Sequence, residues 1–479
     1  MNRNWIWKRI DVSCLPTYCI FYNIFETKKR LKPAPMPEPS NNIRPQIGVF
    51  DLGMIVISLV IGIGIFRTPA IVAKQAGTPE IFFSAWIAGG IVSMVGALVF
   101  AEIGSRHHFP GGFYKLISTA FHPLYSFMIN WVIVLTYGAG MAGVALIGSE
   151  YINPLMPDIL HSKVGIQGTA VVTLLFFYTI NMLGIKSGSR TQNLLSTLKI
   201  LMMLALCTGI FFTASQERVS LSPSPLPIPG NWFTAFGASM IAVFYTFGGY
   251  QQTLNFGADI KDPVRNTPKG IFLGMFLILG LYLALNYTYF NVLGFEGLQN
   301  SSLIAADTAK VLFGPWGEIF FSVAIFLSVL GFINATMLSL PRVYYALADD
   351  KILPSIFKKV NSKTQVQEFA LTFLIVTTLI SLLMLDTFEQ IVNYVMSVDG
   401  IALASAAATI FVFRKKAGVN DEHKGFKMKG YPWLPALFVL FLLATAVNVI
   451  ITDPSSALVG WSLFLGGAPL YFLLQRFGK

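Results

Sequence analysis

Two closely spaced glycines and a proline, Gly62, Gly64 and Pro69, interrupt an apolar stretch that runs from about Val49 to Ala76. Inside a helix, glycine costs about 1 kcal/mol and proline about 3 kcal/mol relative to alanine, so a straight helix is disfavoured here. In lipid, an interrupted backbone is tolerated only where it is buried in protein or lines a cavity. The stretch therefore predicts either an unwound helix whose free amides and carbonyls hold a polar ligand, or a glycine-rich groove for helix packing.

A second apolar stretch, which begins near Asn231, carries a similar interruption at Gly248 and Gly249. Each interruption lies at a comparable distance from the start of its own segment. Glycine-interrupted hydrophobic segments at corresponding places in two halves of a chain indicate a transporter binding site. The pairing therefore favours ligand binding over simple packing.

One cation lies near the middle of an apolar segment: Lys199, between Leu198 and Ile200. An ionisable residue at membrane depth is costly and is a functional hypothesis by default. Snorkelling of the side chain to the membrane surface is the alternative, but it suits residues nearer the end of a span. We expect Lys199 to have a functional or a buried structural role.

The other polar motifs give no sign of catalysis. His107 and His108 are adjacent, but adjacent side chains on an extended segment diverge, and no further metal ligands are visible nearby. An enzyme would need a cluster of acid–base or metal-binding residues within the apolar segments, and none is apparent. We therefore expect no cofactor, no metal and no catalytic residue.

The composition places the chain among polytopic membrane proteins. Of 479 residues, 54% are hydrophobic and 12% are charged, whereas about 25% of the residues of a soluble domain are charged. A membrane span needs about 20 apolar residues. The segments that meet this requirement are about 48–75, 81–105, 121–152, 165–185, 190–213, 231–257, 269–293, 316–347, 367–385, 388–413, 432–452 and 456–475.

The net charge is +11, and the basic residues are distributed according to the topology of these twelve segments. If the amino terminus is inside, most of the 34 lysines and arginines fall on inner segments, including Lys28–Arg30 and Arg414–Lys416. This is the positive-inside pattern, so we expect both termini in the cytoplasm and no nucleic-acid partner. None of the three cysteines, Cys14, Cys19 and Cys207, lies in an outer loop, so we expect no structural disulfide.

Residues 1–46 are predicted to be a cytoplasmic segment that is disordered in part, because 32–45 is polar and rich in proline. Residues 14–25 are too short and too interrupted for a span and lack a signal-peptide cleavage site. Two alternatives remain for 1–35: a peripheral amphipathic anchor, or an untranslated stretch upstream of a true start at Met36.

Four motifs occur in a fixed order along the chain. Span one contains Gly-Ile-Gly-Ile-Phe and then Thr-Pro (62–69), and span two ends in Ala-Glu-Ile-Gly and then Gly-Gly-Phe-Tyr (101–114). Span six contains Gly-Gly and then Asp-Pro-Val-Arg-Asn-Thr-Pro (248–268), and span eight ends in Arg-Val-Tyr-Tyr-Ala-Leu-Ala-Asp-Asp (342–350). Over about 49–414 the chain therefore resembles the amino acid–polyamine–organocation superfamily, and within it the L-type amino acid transporters.

The resemblance implies an all-α polytopic membrane protein with the LeuT-type fold. Twelve transmembrane helices are expected: a 5+5 inverted repeat, with helices 1 and 6 discontinuous, and two further helices. The transporter core would be 47–414, with repeats at about 47–213 and 231–414. Residues 415–479 would hold helices 11 and 12 and the carboxyl-terminal tail.

The resemblance also implies an α-amino acid bound between the two interruptions. A carboxylate suits free amides at the N-terminal end of a half-helix, and an ammonium suits free carbonyls at C-terminal ends. Tyr245 would be the gating aromatic residue, and Lys199 would stand where sodium-coupled relatives of the fold bind sodium. The candidate substrate-binding residues are Val60, Ile61, Gly62, Ile63, Gly64, Ile65, Tyr245, Thr246, Phe247, Gly248 and Gly249.

Three features depart from the family pattern. Ile63 replaces a common serine, which removes one hydroxyl contact to the carboxylate. Arg67 replaces an uncharged residue, and we favour a structural role for it over contact with substrate. The loop 153–165 has no cysteine, so we expect no disulfide-linked heavy subunit of the kind that animal L-type members carry.

The sequence thus predicts a secondary transporter of amino acids in the cell membrane that works by alternating access. We expect sodium-independent transport, by exchange or by proton coupling. A transporter of polyamines or other organic amines is the main alternative, and a channel or a membrane-embedded enzyme is a weaker one.

Overall fold

A computed structural model of the chain describes residues 43–62, 64–209, 231–301, 304–384, 388–418 and 423–477. Most of the predicted amino-terminal segment 1–46 lies outside these residues, and so does Ile63 of the candidate site. The described residues are mainly helical and contain two isolated β-bridges but no strand.

Fifteen α-helices account for most of the described residues. They are α1 (Val49–Val60), α2 (Thr68–Ala76), α3 (Pro79–Arg106), α4 (Gly112–Ala120), α5 (Pro123–Ile152), α6 (Lys163–Met182), α7 (Ile185–Gly209), α8 (Trp232–Thr246), α9 (Pro263–Asn300), α10 (Ile304–Phe313), α11 (Trp316–Asp349), α12 (Glu368–Met384), α13 (Phe388–Ala417), α14 (Trp433–Thr452) and α15 (Pro454–Phe477).

Within the described ranges, nine helical segments are long and apolar enough to cross a membrane. Two shorter apolar helices, Val49–Val60 and Glu368–Leu383, accompany them. The chain is therefore a polytopic, all-helical membrane protein. Each of the twelve predicted segments overlaps a helix, but the first is divided between α1 and α2 and the sixth ends in a 3-10 turn, Tyr250–Asn255.

The first interruption follows from local chemistry. Helix α1 ends at Val60, and a short 3-10 turn, Gly64–Phe66, precedes α2. Pro69 lies in the first turn of α2, where its missing N–H removes no helical hydrogen bond. Two α-helices separated by a 3-10 turn therefore occupy the place of one straight span.

Long helices surround both interruptions. Helix α9 packs against α1 and α3, α3 packs against α8, and α7 packs against α1 and α11. Trp86, Phe247 and Tyr282 form an aromatic cluster beside the interruptions, with ring centroids 4.8–6.1 Å apart. The interruptions therefore lie in the packed interior of the helix bundle, where their backbone is shielded from lipid.

Buried ion pairs join distant parts of the chain at the end of the bundle where α3 ends. The carboxylate of Glu102 accepts hydrogen bonds from Arg106, from Arg414 of α13 and from the backbone N–H of Met428. Asp259 is paired with Arg342 of α11 at 2.6 Å. Lys115 is paired with Asp349 at 3.2 Å, and with the neighbouring Asp350. Each of these charges has a partner of opposite sign, which offsets the cost of burying it.

Candidate functional site

At the first interruption the backbone leaves the helical path at the predicted residues. The carbonyl of Val60 accepts the hydroxyl of Tyr282 at 3.1 Å, and Ile61 adopts a non-helical conformation with ψ of 85°. A Cβ placed on Gly62 would have no atom within 4 Å, so this glycine faces open space. Ile65 is fully buried in the core.

The amides of the first interruption are available to a ligand. Among the described residues, the N–H groups of Gly64 and Ile65 donate to no backbone carbonyl outside their own 3-10 turn. Free amides at the start of a helical segment form an anion site, because the N–H dipoles point at the ligand. These are the amides at which the sequence predicts a substrate carboxylate.

At the second interruption, α8 ends at Thr246 and the chain turns at Gly248 and Gly249. Gly249 has φ of 122°, in the region that favours glycine, and a Cβ here would collide with the carbonyl oxygen of Leu59. Phe247 is fully buried. Only glycine at position 249 lets the backbone of one interruption touch the backbone of the other.

The structure brings the two interruptions together at three points. Tyr282 donates its hydroxyl toward the carbonyls of both Val60 and Thr246, at 3.1 and 3.4 Å. A Cβ on Gly64 would lie 3.3 Å from the methyl group of Thr246. With the contact between Gly249 and Leu59, these links place the two sets of predicted residues in one site.

Lys199 is enclosed beside the first interruption, with 1% of its surface exposed. Its ammonium donates to the carbonyl of Ile61 at 2.6 Å and to the carbonyl of Ser328 at 3.3 Å. Gly331 leaves room for it, because a Cβ there would lie 3.1 Å from Nζ. Lys199 therefore connects its own helix, α7, to the end of α1 and to α11 through the hydrogen bonds of its ammonium.

Tyr245, the predicted gate, is half-buried at the end of α8. Its hydroxyl lies near the side chain of Thr445 on α14, and its ring lies 5.9 Å from that of Phe244. Arg67, the unusual cation after the first interruption, is exposed at the start of α2.

A small cavity lies beside the turn that follows Gly249. Its polar lining residues are Asn130, Tyr137, Gln251, Gln252, Asn255 and Asp399. Asp399, on α13, forms no hydrogen bond or ion pair with any described residue. The side chains of Tyr137 and Tyr245 are both close enough to Asp399 to interact electrostatically with its carboxylate.

Sequence reasoning missed two of these residues. Asp399 could have been noticed, because it is a carboxylate near the middle of the predicted span 388–413. Tyr282 carries no such signal, because a tyrosine in an apolar span is common and its two backbone partners are distant in sequence.

The described residues contain no group of three side chains that could hold a metal. His107 packs its ring 3.9 Å from that of Phe413, centroid to centroid. Burial, together with the charge of Arg106, lowers the pKa of His107 to about 4. This imidazole is therefore neutral at physiological pH and packs as an aromatic ring.

Comparison with known proteins gives a match over nearly the whole chain. A family model described as amino acid permease matches residues 47–472. The serine/threonine exchanger SteT of Bacillus subtilis is 26% identical over 454 residues, which cover 92% of this chain and 99% of SteT.

Two mammalian relatives show similar coverage. The large neutral amino acids transporter small subunit 2 of Homo sapiens is 26% identical over 442 residues, covering 90% of this chain and 80% of that protein. The Asc-type amino acid transporter 1 of Mus musculus is 23% identical over 437 residues, covering 90% and 81%.

Proposed function

The chain belongs to the amino acid permease family, and we propose that it moves α-amino acids across the cell membrane by alternating access without sodium. As a multi-pass membrane transporter, it is not an enzyme. The observation that carries the proposal is the close approach of two interrupted helices, which are joined through Tyr282 and through the contacts of Gly64 and Gly249. Interrupted helices at corresponding places in two halves are where transporters of this kind bind substrate.

The substrate carboxylate would bind the free N–H groups of the first interruption, at Ile63, Gly64 and Ile65. The open space at Gly62 gives the ligand access to this backbone. The substrate ammonium would bind carbonyls at the ends of α1 and α8, near Val60, Ile61, Tyr245 and Phe247. Thr246, Gly248 and Gly249 complete the site, because their contacts hold the two interruptions against each other.

Sodium independence rests on Lys199. Its fixed ammonium already provides a positive charge to the carbonyls of Ile61 and Ser328. A sodium ion bound between these same two carbonyls would have to take the position of the ammonium and would be repelled by it. If Lys199 stays charged, it stabilises the helix bundle and the protein exchanges substrates. If Lys199 releases its proton in each cycle, transport is coupled to protons.

Tyr245 would gate the site. It is the residue immediately before Thr246, whose methyl group approaches Gly64, and its ring is large enough to cover a bound amino acid. In the absence of substrate the ring would rest against α14, beside Thr445.

The fold, the orientation of the termini and the absence of a heavy subunit belong to the same proposal. The core 47–414 would form the LeuT-type fold with repeats at about 47–213 and 231–414, and 415–479 would add two helices. Both termini would be cytoplasmic, because basic residues concentrate on that side. The absence of cysteine from 153–165 supports a transporter that works without a disulfide-linked heavy subunit.

Uptake by the purified full-length protein in proteoliposomes tests this proposal. Labelled amino acids are offered to vesicles preloaded with unlabelled amino acid or with buffer, with sodium or choline outside, and with or without an inward proton gradient. We expect saturable uptake that is the same in sodium and in choline. Stimulation by preloading indicates exchange, and stimulation by the gradient indicates proton coupling.

Three results would contradict the proposal. Sodium-stimulated uptake would contradict the role given to Lys199. Flux that does not saturate would indicate a channel. Uptake of polyamines that simple α-amino acids do not compete with would favour the organic-amine alternative, because polyamines have no carboxylate for the first interruption to bind.

A further inference from the structure

Asp399, which is half-buried, differs from the fully buried carboxylates of the described residues. Glu102 is paired with two arginines, and Asp259 is paired with Arg342. The carboxylate of Asp399 has neither an ion-pair partner nor a hydrogen bond, and no lysine, arginine or histidine lines its cavity. An unpaired charge at membrane depth is costly and marks a substrate or ion pathway by default.

A second group in the same cavity also lacks a partner. The side-chain oxygen of Asn130 is fully buried and accepts no hydrogen bond in the described part of the chain. By contrast, Asn255 is satisfied by Ser339 and by the backbone N–H of Phe113, and Gln252 donates to Tyr137. The unsatisfied groups are therefore both acceptors, and one of them carries a negative charge.

The ligand that satisfies these groups must donate hydrogen bonds and carry positive charge. A primary ammonium fits, because it has three donors and no acceptor. A neutral hydroxyl or an apolar chain would leave the charge of Asp399 uncompensated. A carboxylate would be repelled by it.

The position of the cavity connects it to the proposed substrate site. Gln251 and Gln252 line the cavity, and both lie in the 3-10 turn that follows Gly249. Tyr245, the proposed gate, is close enough to Asp399 for the two side chains to interact electrostatically. A substrate whose α-amino and α-carboxyl groups bind the interruptions can therefore direct its side chain into the cavity.

We infer that Asp399 is the specificity-determining residue of a side-chain subsite, and that it binds the cationic amine of dibasic amino acids such as lysine. This inference rests on the proposed function, because the interruptions must hold the amino acid's main-chain groups. Asn130 accepts a second hydrogen bond from the same ammonium. The apolar lining residues, which include Ile133 and Leu340, would pack against the methylene groups of the substrate side chain.

Three probes that differ by one group each test the inference. L-Lysine has the ε-ammonium, L-norleucine lacks it, and cadaverine keeps both amines but lacks the carboxylate. Each competes with labelled L-lysine for uptake into proteoliposomes that contain the full chain, and each is tested for thermal stabilisation of the detergent-solubilised protein. We expect lysine to act at a concentration at least about tenfold lower than norleucine, the scale of one charge-assisted hydrogen bond.

Variants at position 399 assign the preference to the carboxylate. Asp399→Asn keeps the size of the side chain and removes the charge, so the lysine-to-norleucine ratio should fall to about one. Asp399→Glu should retain most of the preference. Asp158→Asn, at a fully exposed acid, is the matched control and should leave the ratio unchanged.

The outcomes separate this inference from the proposed function. If the protein takes up α-amino acids but lysine and norleucine compete with equal potency, the inference about Asp399 is wrong and the proposed function stands. An unchanged lysine-to-norleucine ratio in Asp399→Asn would have the same meaning. Loss of proton-gradient stimulation in Asp399→Asn with an unchanged ratio would instead make Asp399 a proton carrier. Cadaverine as potent as lysine, with the same dependence on Asp399, would overturn the proposed function and support amine binding at Asp399.

Discussion

Lys199 and Asp399 are both ionisable side chains within predicted spans, and their surroundings differ in one respect. Lys199 is enclosed, and two backbone carbonyls accept hydrogen bonds from its ammonium. Asp399 lines a cavity and forms no hydrogen bond or ion pair with the described residues. Both are costly to place at membrane depth, yet only the lysine is satisfied by its own chain.

The difference separates a structural charge from a charge kept for a ligand. A buried charge that the fold satisfies contributes to stability, because its removal leaves its partners unpaired. A charge that the fold leaves unpaired costs stability in the empty protein, and this cost is offset only when something binds. The comparison therefore predicts substitutions of opposite effect on stability at the two positions.

The largest effect is expected for Lys199→Ala. Removal of the ammonium leaves the buried carbonyl of Ile61 without its donor and loosens the first interruption. Transport should fall by a factor of about 100 or more, and the melting temperature in detergent should fall. The rate of proteoliposome uptake and a thermal melt in detergent measure the two effects.

Lys186→Ala is the matched control, because Lys186 is exposed on the same helix. It should leave both values close to those of the unmodified protein. Normal transport and normal stability in Lys199→Ala would contradict both the stabilising and the proton-coupling role of the lysine.

The next effect concerns the backbone that Lys199 holds. Gly62→Leu should reduce substrate binding by at least about tenfold without unfolding the protein, because the new side chain enters open space where the ligand is proposed to bind. Gly280→Leu is the control, since Gly280 also faces open space but is exposed on α9. Ligand-induced thermal stabilisation measures binding in both variants. Undiminished binding in Gly62→Leu would remove the first interruption from the site.

A smaller effect is expected at the gate, which lies close to both charges. Tyr245→Ala removes the ring that covers the substrate and should reduce transport about tenfold, the effect of losing one aromatic contact. Tyr245→Phe keeps the ring and loses only the hydroxyl group near Thr445, so it should retain most of the activity. Initial uptake rates compare the two. Equal rates for the Ala and Phe variants would show that the ring does not gate the site.

The smallest effect has the opposite sign. Asp399→Asn removes an unpaired charge from the interior, so the melting temperature of the empty protein should rise by about 1–3 °C. The measurement is the same thermal melt, without amino acid, beside Asp158→Asn, which should not change. A lower melting temperature in Asp399→Asn would mean that the fold itself satisfies the carboxylate.

The interruptions were predictable because glycine and proline act locally on the backbone. Gly62, Gly64, Gly248 and Gly249 lie where the helices end, and Lys199 was identifiable from its apolar neighbours. The all-helical membrane architecture followed in the same way from segment length and composition.

What holds the interruptions together was not predictable, because it depends on pairs far apart in sequence. Lys199 bonds to carbonyls 138 and 129 residues away, and the Tyr282 hydroxyl is 222 residues from Val60. Backbone carbonyls carry no sequence signal, since every residue has one. The absence of a partner for Asp399 is equally non-local, because it depends on which helices surround the cavity.

The ion pair of Glu102 has a consequence for the synthesis of the chain. Arg414 is 312 residues further along, and Met428 is later still. At the usual 5–20 residues per second, a ribosome takes about 15–60 s to add that length of chain. Throughout this interval α3 already carries its carboxylate without the distant arginine. Arg106, one turn away on the same helix, is the counter-ion that Glu102 has from the moment of its own translation.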